Sequence, residues 1–116
     1  MNKRAVGTEY ENRAREYLQE RGYRIVSSNY RCKAGEIDLV AVQGGYLVFI
    51  EVKYRRDGHS GSGLEAVDHR KKQRILRSAR WYMMEKRISP DTSCRFDVIS
   101  FQGDEVTLIR DAFQYG

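Results

Sequence analysis

Two strongly apolar stretches joined by a glycine turn constrain this chain more than any other feature of its sequence. The stretches Glu36–Val42 and Tyr46–Tyr54 are rich in β-forming residues, and Gln43-Gly44-Gly45 separates them. A short glycine-containing connection between two such stretches is typical of a tight antiparallel hairpin. The sequence therefore predicts a hairpin whose strands lie at the centre of a sheet.

Helical and extended segments are predicted on either side of this hairpin. Apolar residues recur at helical spacing over Ala5–Arg21 and Leu64–Arg87, which predicts two amphipathic helices. Gly22 is expected to end the first helix, and the segment Ser89-Pro90-Asp91 the second. β-forming residues indicate three further strands, Tyr23–Tyr30, Cys94–Phe101 and Glu105–Ile109. The glycine- and serine-rich stretch Arg55–Gly63 is predicted to be a mobile loop.

These elements follow one another in the order αβββαββ, without repeats or linkers. A chain of 116 residues, 41% of them hydrophobic, has material for one packed core and little room for a second. The prediction is a single α/β domain over residues 1–116, with a mixed central sheet flanked by helices.

Charge and composition narrow the classes of function. Lys and Arg number 21 against 16 Asp and Glu, and the pI of about 9.4 favours a polyanionic partner. The two Cys and two His are scattered, which disfavours a disulfide framework, a structural zinc site and a zinc-dependent hydrolase. No signal peptide or membrane-length apolar run occurs, so a cytosolic protein without membrane association is expected.

Charged residues interrupt the two central strands at matching positions. Glu51 and Lys53 are two residues apart on one strand and therefore share a face. In a hairpin centred on Gly44 and Gly45, Asp38 lies opposite Glu51. The sequence therefore predicts two neighbouring carboxylates with an ammonium group beside them.

Two interpretations of this cluster remain open at this point. Opposed carboxylates destabilise a sheet, and a divalent cation would relieve their repulsion. Mg²⁺ prefers such hard oxygen ligands, and Lys53 would then stand beside the metal to orient water or stabilise a phosphoryl transition state. The alternative is that Asp38, Glu51 and Lys53 form a buried ion-pair network without catalytic purpose.

The two charged strands resemble a known nuclease motif. Gly35-Glu36-Ile37-Asp38-Leu39 followed by Phe49-Ile50-Glu51-Val52-Lys53-Tyr54-Arg55 is similar to the PD-(D/E)xK, or restriction-endonuclease-like, superfamily. More narrowly, the chain resembles the YraN family of small bacterial proteins over nearly its full length. Further matches are Gly7, Glu11, Ala14–Leu18, Asn29-x-Arg31, Lys71 and Arg95-Phe96-Asp97-Val98.

This resemblance implies a restriction-endonuclease-like fold and a phosphodiesterase dependent on Mg²⁺ or Mn²⁺. Asp38 and Glu51 would be catalytic metal ligands and Lys53 the catalytic lysine. The resemblance also implies an acidic residue from the first helix, and Glu11 is better placed than Glu9 because it lies closer to the apolar side. Ile37 stands where the superfamily often has proline.

Basic residues cluster after the charged strand and along the second helix. Those expected to contact nucleic acid are Arg55, Arg56, Arg70, Lys71, Lys72 and Arg74. A solvated helix face is the simpler interpretation for Arg77 and Arg80. No base-reading motif is present, so recognition of backbone and shape is expected, with DNA as the first candidate and a homodimer as a further expectation.

Four other polar residues carry weaker signals. Glu36 is either an auxiliary metal ligand or an exposed carboxylate, and Asp97 is expected to pair with an arginine. His59 and His69 are interpreted as surface residues. The sequence as a whole predicts a nuclease, with a non-catalytic nucleic-acid-binding or protein-interaction adaptor of the same fold as the alternative.

Overall fold

A computed structural model describes residues 3–55 and 68–113. The elements in chain order are α1 (Lys3–Glu20), β1 (Arg24–Cys32), β2 (Gly35–Gln43), β3 (Tyr46–Arg55), α2 (His69–Glu85), β4 (Cys94–Gln102) and β5 (Glu105–Ile109). The predicted order αβββαββ is confirmed. Arg55 ends β3 rather than beginning a loop, and the rest of that loop, including Arg56 and His59, lies outside the described residues, as do residues 64–67.

The five strands form one mixed sheet in the order β1-β2-β3-β4-β5. Strands β3 and β4 run parallel, with α2 between them in the chain, and the other neighbours are antiparallel. The central hairpin turns at Gly44 and Gly45, whose φ angles are 57° and 83°. Two successive positive φ values suit the twist of a tight hairpin, and glycine adopts them without steric cost.

A helix covers each face of the sheet, so the core has two layers. On one face, Ala14 and Leu18 of α1 pack with the buried side chains Leu39, Val48 and Ile50. On the other face, residues of α2 pack against β2, β3 and β4. The members of this second cluster include Ile75, Leu76, Ala79, Tyr82, Val40, Phe49, Phe96 and Val98. The result is the predicted α/β class, with the sheet between two helices.

The helix ends agree with the sequence for α1 and differ for α2. Gly22, with φ 86°, follows α1 as expected. The second helix begins at His69, because Asp68 is extended (ψ 176°) and caps it, so a helix running through this position from Leu64 is wrong. It ends at Glu85, before the predicted stop at Ser89. Two residues later, Arg87 adopts φ 55° and donates its backbone N–H to the carbonyl oxygen of Met84.

Candidate active site

Asp38 lies where β2 and β3 separate. The ladder between these strands continues as far as the pair Leu39 and Ile50, which confirms the register that places Asp38 opposite Glu51. Asp38 Oδ2 accepts a hydrogen bond of 2.8 Å from the backbone N–H of Val52. A side-chain carboxylate therefore binds a main-chain donor of β3 at the end of the ladder.

The backbone around Asp38 departs from regular strand geometry. Ile37 and Val40 belong to the core layer on the α2 side, although they are three residues apart, and Leu39 belongs to the other layer. Regular alternation would place Ile37 and Leu39 together. On β1, Asn29 lies opposite Asp38 and has φ 53°, a conformation that asparagine tolerates better than most residues.

Two clefts meet at Asp38 because of this irregularity. The larger cleft, of about 710 Å³, is lined by α1 and the sheet, with Glu11, Asn29 and Tyr54 among its residues. The smaller cleft, of about 270 Å³, is lined by α2 and the sheet, and its residues include Glu51, Lys71, Arg74 and Gly35. Asp38 and its neighbour Glu36 line both clefts.

Glu51 is buried, and its carboxylate forms ion pairs with two ammonium groups. Its Oε1 lies 3.2 Å from Lys53 Nζ on the same strand and 2.7 Å from Lys71 Nζ on α2. The prediction that Glu51 and Lys53 project together is confirmed. Lys71, which the sequence assigns to nucleic-acid binding, is brought into the carboxylate cluster, and its role in binding nucleic acid stays a prediction.

The first turn of α2 is held by a cap that places Lys71. Asp68 precedes the helix, and its Oδ1 accepts the backbone N–H of Lys71 at 2.9 Å. This hydrogen bond lowers the pKa of Asp68, since it favours the ionised carboxylate. Asp68 thereby orients the turn from which Lys71 reaches Glu51.

Crowding of these charges shifts the pKa values of three side chains. Burial, followed by the charge of Glu51, raises the pKa of Asp38 to about 7, against the opposing hydrogen bond from Val52. Burial, followed by interaction with Lys71, lowers the pKa of Lys53. Burial also disfavours charge on Lys71, but its hydrogen bond and ion pair with Glu51 outweigh that effect and raise the Lys71 pKa.

Glu11 lines the same cleft as Asp38 but is bound to other groups. Its Oε1 accepts a hydrogen bond of 2.8 Å from Asn29 Nδ2. The same oxygen forms an ion pair of 3.7 Å with Nη2 of Arg15. Within residues 3–55 and 68–113, no three His, Cys, Asp or Glu side chains are arranged to hold a metal ion. The convergence of Glu11 with Asp38 and Glu51 therefore stays a prediction.

The donor chemistry of Asp38 and Glu51 nevertheless fits a hard cation. The two carboxylates are close enough to share a hydrogen bond, and the charge of Glu51 disfavours ionisation of Asp38. Mg²⁺ is commonly bound by one or two carboxylates, with water and substrate phosphate as the remaining ligands. A cation between them would replace repulsion by attraction.

The remaining basic residues of the prediction lie at different distances from this cluster. Arg74 is exposed and lines the smaller cleft, and Arg70 is exposed on the first turn of α2. Lys72 is half-buried, with its Nζ 6.0 Å from the ring centre of Phe113. Arg55 ends β3, and Arg56 lies outside the described residues.

The weaker candidates are structural or exposed where the structure describes them. Glu36 is exposed and forms an ion pair of 3.3 Å with Arg31. Asp97 is buried and forms an ion pair of 2.9 Å with Arg95, which confirms the pairing expected for it. His69 is exposed at the start of α2, and His59 lies outside the described residues.

Three contacts at the site were not predicted from the sequence. Asp68 could have been found, because an aspartate before an amphipathic run is a typical helix cap. Asn29 entered only through the resemblance, since nothing local indicates that its amide binds Glu11. The stacked pair Tyr10 and Tyr54 had no sequence signal, because it joins two elements far apart in the chain.

Comparison with known proteins places the chain in a family. Residues 10–101 match the family described as "Uncharacterised protein family UPF0102". The chain is 46% identical to a UPF0102 protein of Lachnoclostridium phytofermentans over 100% of its own length and 99% of that relative. It is 43% identical to a UPF0102 protein of Fusobacterium nucleatum, over 96% of the chain and 92% of the relative. It is 40% identical to the UPF0102 protein YraN of Salmonella agona, over 97% of the chain and 87% of the relative. The chain therefore belongs to the UPF0102 family, which includes YraN.

Proposed function

We propose that this chain is a restriction-endonuclease-like nuclease that uses Mg²⁺ or Mn²⁺ to hydrolyse phosphodiester bonds in nucleic acid, with DNA as the first candidate. The observation that supports this most is the Asp38–Glu51 carboxylate pair at the end of the β2–β3 ladder, with Lys53 and Lys71 on one oxygen of Glu51. A cytosolic location and a place in DNA repair or recombination belong to the same proposal. Among the described helices, none is apolar enough over a sufficient length to cross a membrane.

Asp38 and Glu51 would hold the metal ion. When bound, a divalent cation neutralises charge on a phosphoryl oxygen and lowers the pKa of water. The hydrogen bond from Val52 fixes one oxygen of Asp38, and the residue lines both clefts. Lys71 holds Glu51 in place, because its ammonium group lies 2.7 Å from Oε1.

Lys53 is suited to act on the water or on the phosphate. Its pKa is lowered by burial and by Lys71, so its Nζ gives up a proton more readily than an ordinary lysine. In the charged form, Lys53 donates hydrogen bonds to a developing phosphoryl charge. In the neutral form, its nitrogen accepts a proton from an attacking water.

A non-catalytic adaptor is the second candidate, and one observation favours it. Glu51 already has two ammonium partners, so the cluster is balanced as an ion-pair network without a metal. The exposed side chains of Arg70 and Arg74 would then bind nucleic acid or a protein partner.

Calorimetric titration with Mn²⁺ tests the metal site. We expect wild type to bind, and Asp38→Asn to bind at least about tenfold more weakly because one of two carboxylate ligands is lost. Glu16→Gln is the matched control, since Glu16 is exposed on α1 and its loss changes net charge equally. Equal Mn²⁺ affinity of wild type and Asp38→Asn would contradict the proposal.

Cleavage assays distinguish the nuclease from the adaptor. Branched, flapped and single-stranded DNA are incubated with wild type, with Lys53→Ala and with the double variant Arg70→Glu/Arg74→Glu. The nuclease proposal predicts loss of cleavage in Lys53→Ala with folding retained. Identical cleavage by wild type and Lys53→Ala would indicate a contaminating activity and contradict the assignment. Loss of DNA binding only in the double variant, without cleavage by any preparation, would favour the adaptor.

A further inference from the structure

A stacked pair of tyrosines forms one wall of the larger cleft. The rings of Tyr10 on α1 and Tyr54 on β3 lie 4.5 Å apart, with an angle of 7° between their planes. Arg13 supports this pair, because its guanidinium carbon lies 5.2 Å from the centre of the Tyr10 ring. Tyr54 retains 38% exposure and lines the cleft that contains Asp38. The pair is therefore a preorganised flat surface beside the candidate active site.

The helix carries a glycine at the position beside the Tyr54 hydroxyl. Gly7 of α1 lines the same cleft, and a Cβ there would lie 3.9 Å from the Tyr54 hydroxyl. The space beside this hydroxyl is therefore bounded by helix backbone. The cleft volume of about 710 Å³ falls in the usual range for small-molecule sites.

The two clefts that meet at Asp38 share Glu36 and Asp38 and differ in their other charged residues. The smaller adds Glu51, Lys71 and Arg74, and its two cationic side chains suit a phosphate group. The larger adds Glu11 and Arg31, and its carboxylates accept hydrogen bonds from N–H groups. An aromatic ring among hydrogen-bond acceptors suits an uncharged nucleobase.

We infer that the larger cleft binds an unpaired nucleobase stacked on Tyr54, while the adjoining phosphodiester lies toward Lys71 and Arg74, with Asp38 between them. This inference rests on the proposed function and names its substrate class. A base inside a duplex is stacked on both sides and does not reach such a cleft without leaving the helix. The substrate is therefore a single strand, or the unpaired nucleotide of a flap or branch.

Fluorescence anisotropy with two matched oligonucleotides tests the inference. The probes are labelled oligothymidylate and an oligonucleotide of the same length whose internal nucleotides are abasic, so charge is equal and bases differ. Both are measured with wild type in a buffer free of divalent ions, so that the result does not depend on cleavage. We expect wild type to bind oligothymidylate about tenfold more tightly, in line with stacking of a single base.

Variants assign this preference to the ring of Tyr54. Tyr54→Leu keeps an apolar side chain on Tyr10 but removes the flat ring, and should lose the preference while keeping its affinity for the abasic probe. Tyr54→Phe should retain the preference. Tyr46→Ala is the control, because Tyr46 is 42% exposed at the opposite end of β3.

Two results would overturn the inference. One is equal affinity of wild type for both probes, and the other is an equal loss for both probes in Tyr54→Leu. These outcomes are independent of the Mn²⁺ titration and of cleavage. Base-dependent binding without metal binding would leave the nucleobase site in place and refute only the nuclease.

Discussion

Asp38 is held where its own negative charge is disfavoured. Burial and the neighbouring Glu51 raise its pKa from 3.8 to about 7, although the backbone N–H of Val52 stabilises the ionised form. The folded protein therefore binds this proton more tightly than the unfolded chain does. Ionisation of Asp38 destabilises the fold when no cation is bound.

The pH dependence of stability follows from this shift. The contribution of Asp38 to the free energy of unfolding should fall between about pH 4 and about pH 7, and stay constant above that range. Asp38→Asn keeps an acceptor for Val52 and removes the charge. The variant should match wild type in stability at about pH 4 and exceed it at about pH 8 by about 4 kcal/mol, the free energy that corresponds to a pKa raised from 3.8 to about 7. Urea titrations without divalent ions measure the unfolding free energy of wild type and variant at each pH. A constant difference between the two proteins across this pH range would refute this account.

At the scale of the element, β1 and β2 are both irregular at the level of Asp38. Asn29 adopts φ 53° within β1 and uses its side-chain amide to bind Glu11 on α1. The same residue therefore serves the backbone of the strand and the position of a side chain in the larger cleft. Regular strands would turn Asp38 toward one face of the sheet instead of placing it between two clefts.

Two substitutions at Asn29 separate these roles. Asn29→Gly keeps the backbone conformation and removes the amide, whereas Asn29→Ala loses both. We expect Asn29→Ala to be less stable than Asn29→Gly by about 1 kcal/mol, because a left-handed conformation is unfavourable for alanine. Urea denaturation of the two variants measures the difference. Greater stability of the alanine variant would show that the positive φ does not constrain this position.

At the scale of the whole molecule, a buried polar network joins distant parts of the chain. Asp97 on β4 accepts hydrogen bonds from Tyr23 before β1 (2.7 Å), from Arg95 (2.9 and 3.0 Å) and from the backbone of Asp111 after β5 (2.9 Å). The Tyr23 hydroxyl in turn accepts from Arg110 at 3.1 Å. Burial, followed by the hydrogen bond to Asp97, raises the pKa of Tyr23. The network connects the end of α1 with β4 and the end of β5.

Removal of the central carboxylate should affect global stability. Asp97→Ala leaves Arg95 without its buried partner and should cost about 3–5 kcal/mol of unfolding free energy. Tyr23→Phe removes one hydrogen-bonding group and should cost about 1 kcal/mol. Chemical denaturation measures both. Equal, small losses would show that Arg95 finds another partner or water.

Patterns in consecutive residues were sufficient to predict the hairpin and the site residues that lie on it. A short glycine turn determines the register of its two strands, so the proximity of Asp38 and Glu51 followed from counting residues. Side-chain alternation then placed Lys53 beside Glu51. The strand order within the chain and the two helices also followed from periodicity, because each pattern is read within a few consecutive residues.

Only the tertiary structure decided which distant side chains join this pair. Lys71 reaches Glu51 because α2 packs on the sheet and begins after the cap at Asp68, which periodicity did not resolve. Tyr10 meets Tyr54, and Asn29 meets Glu11, through the packing of α1 on the opposite face. These contacts depend on how separate elements dock. Docking is determined by burial of whole faces in the core, whereas hairpin register is determined by neighbours in the chain.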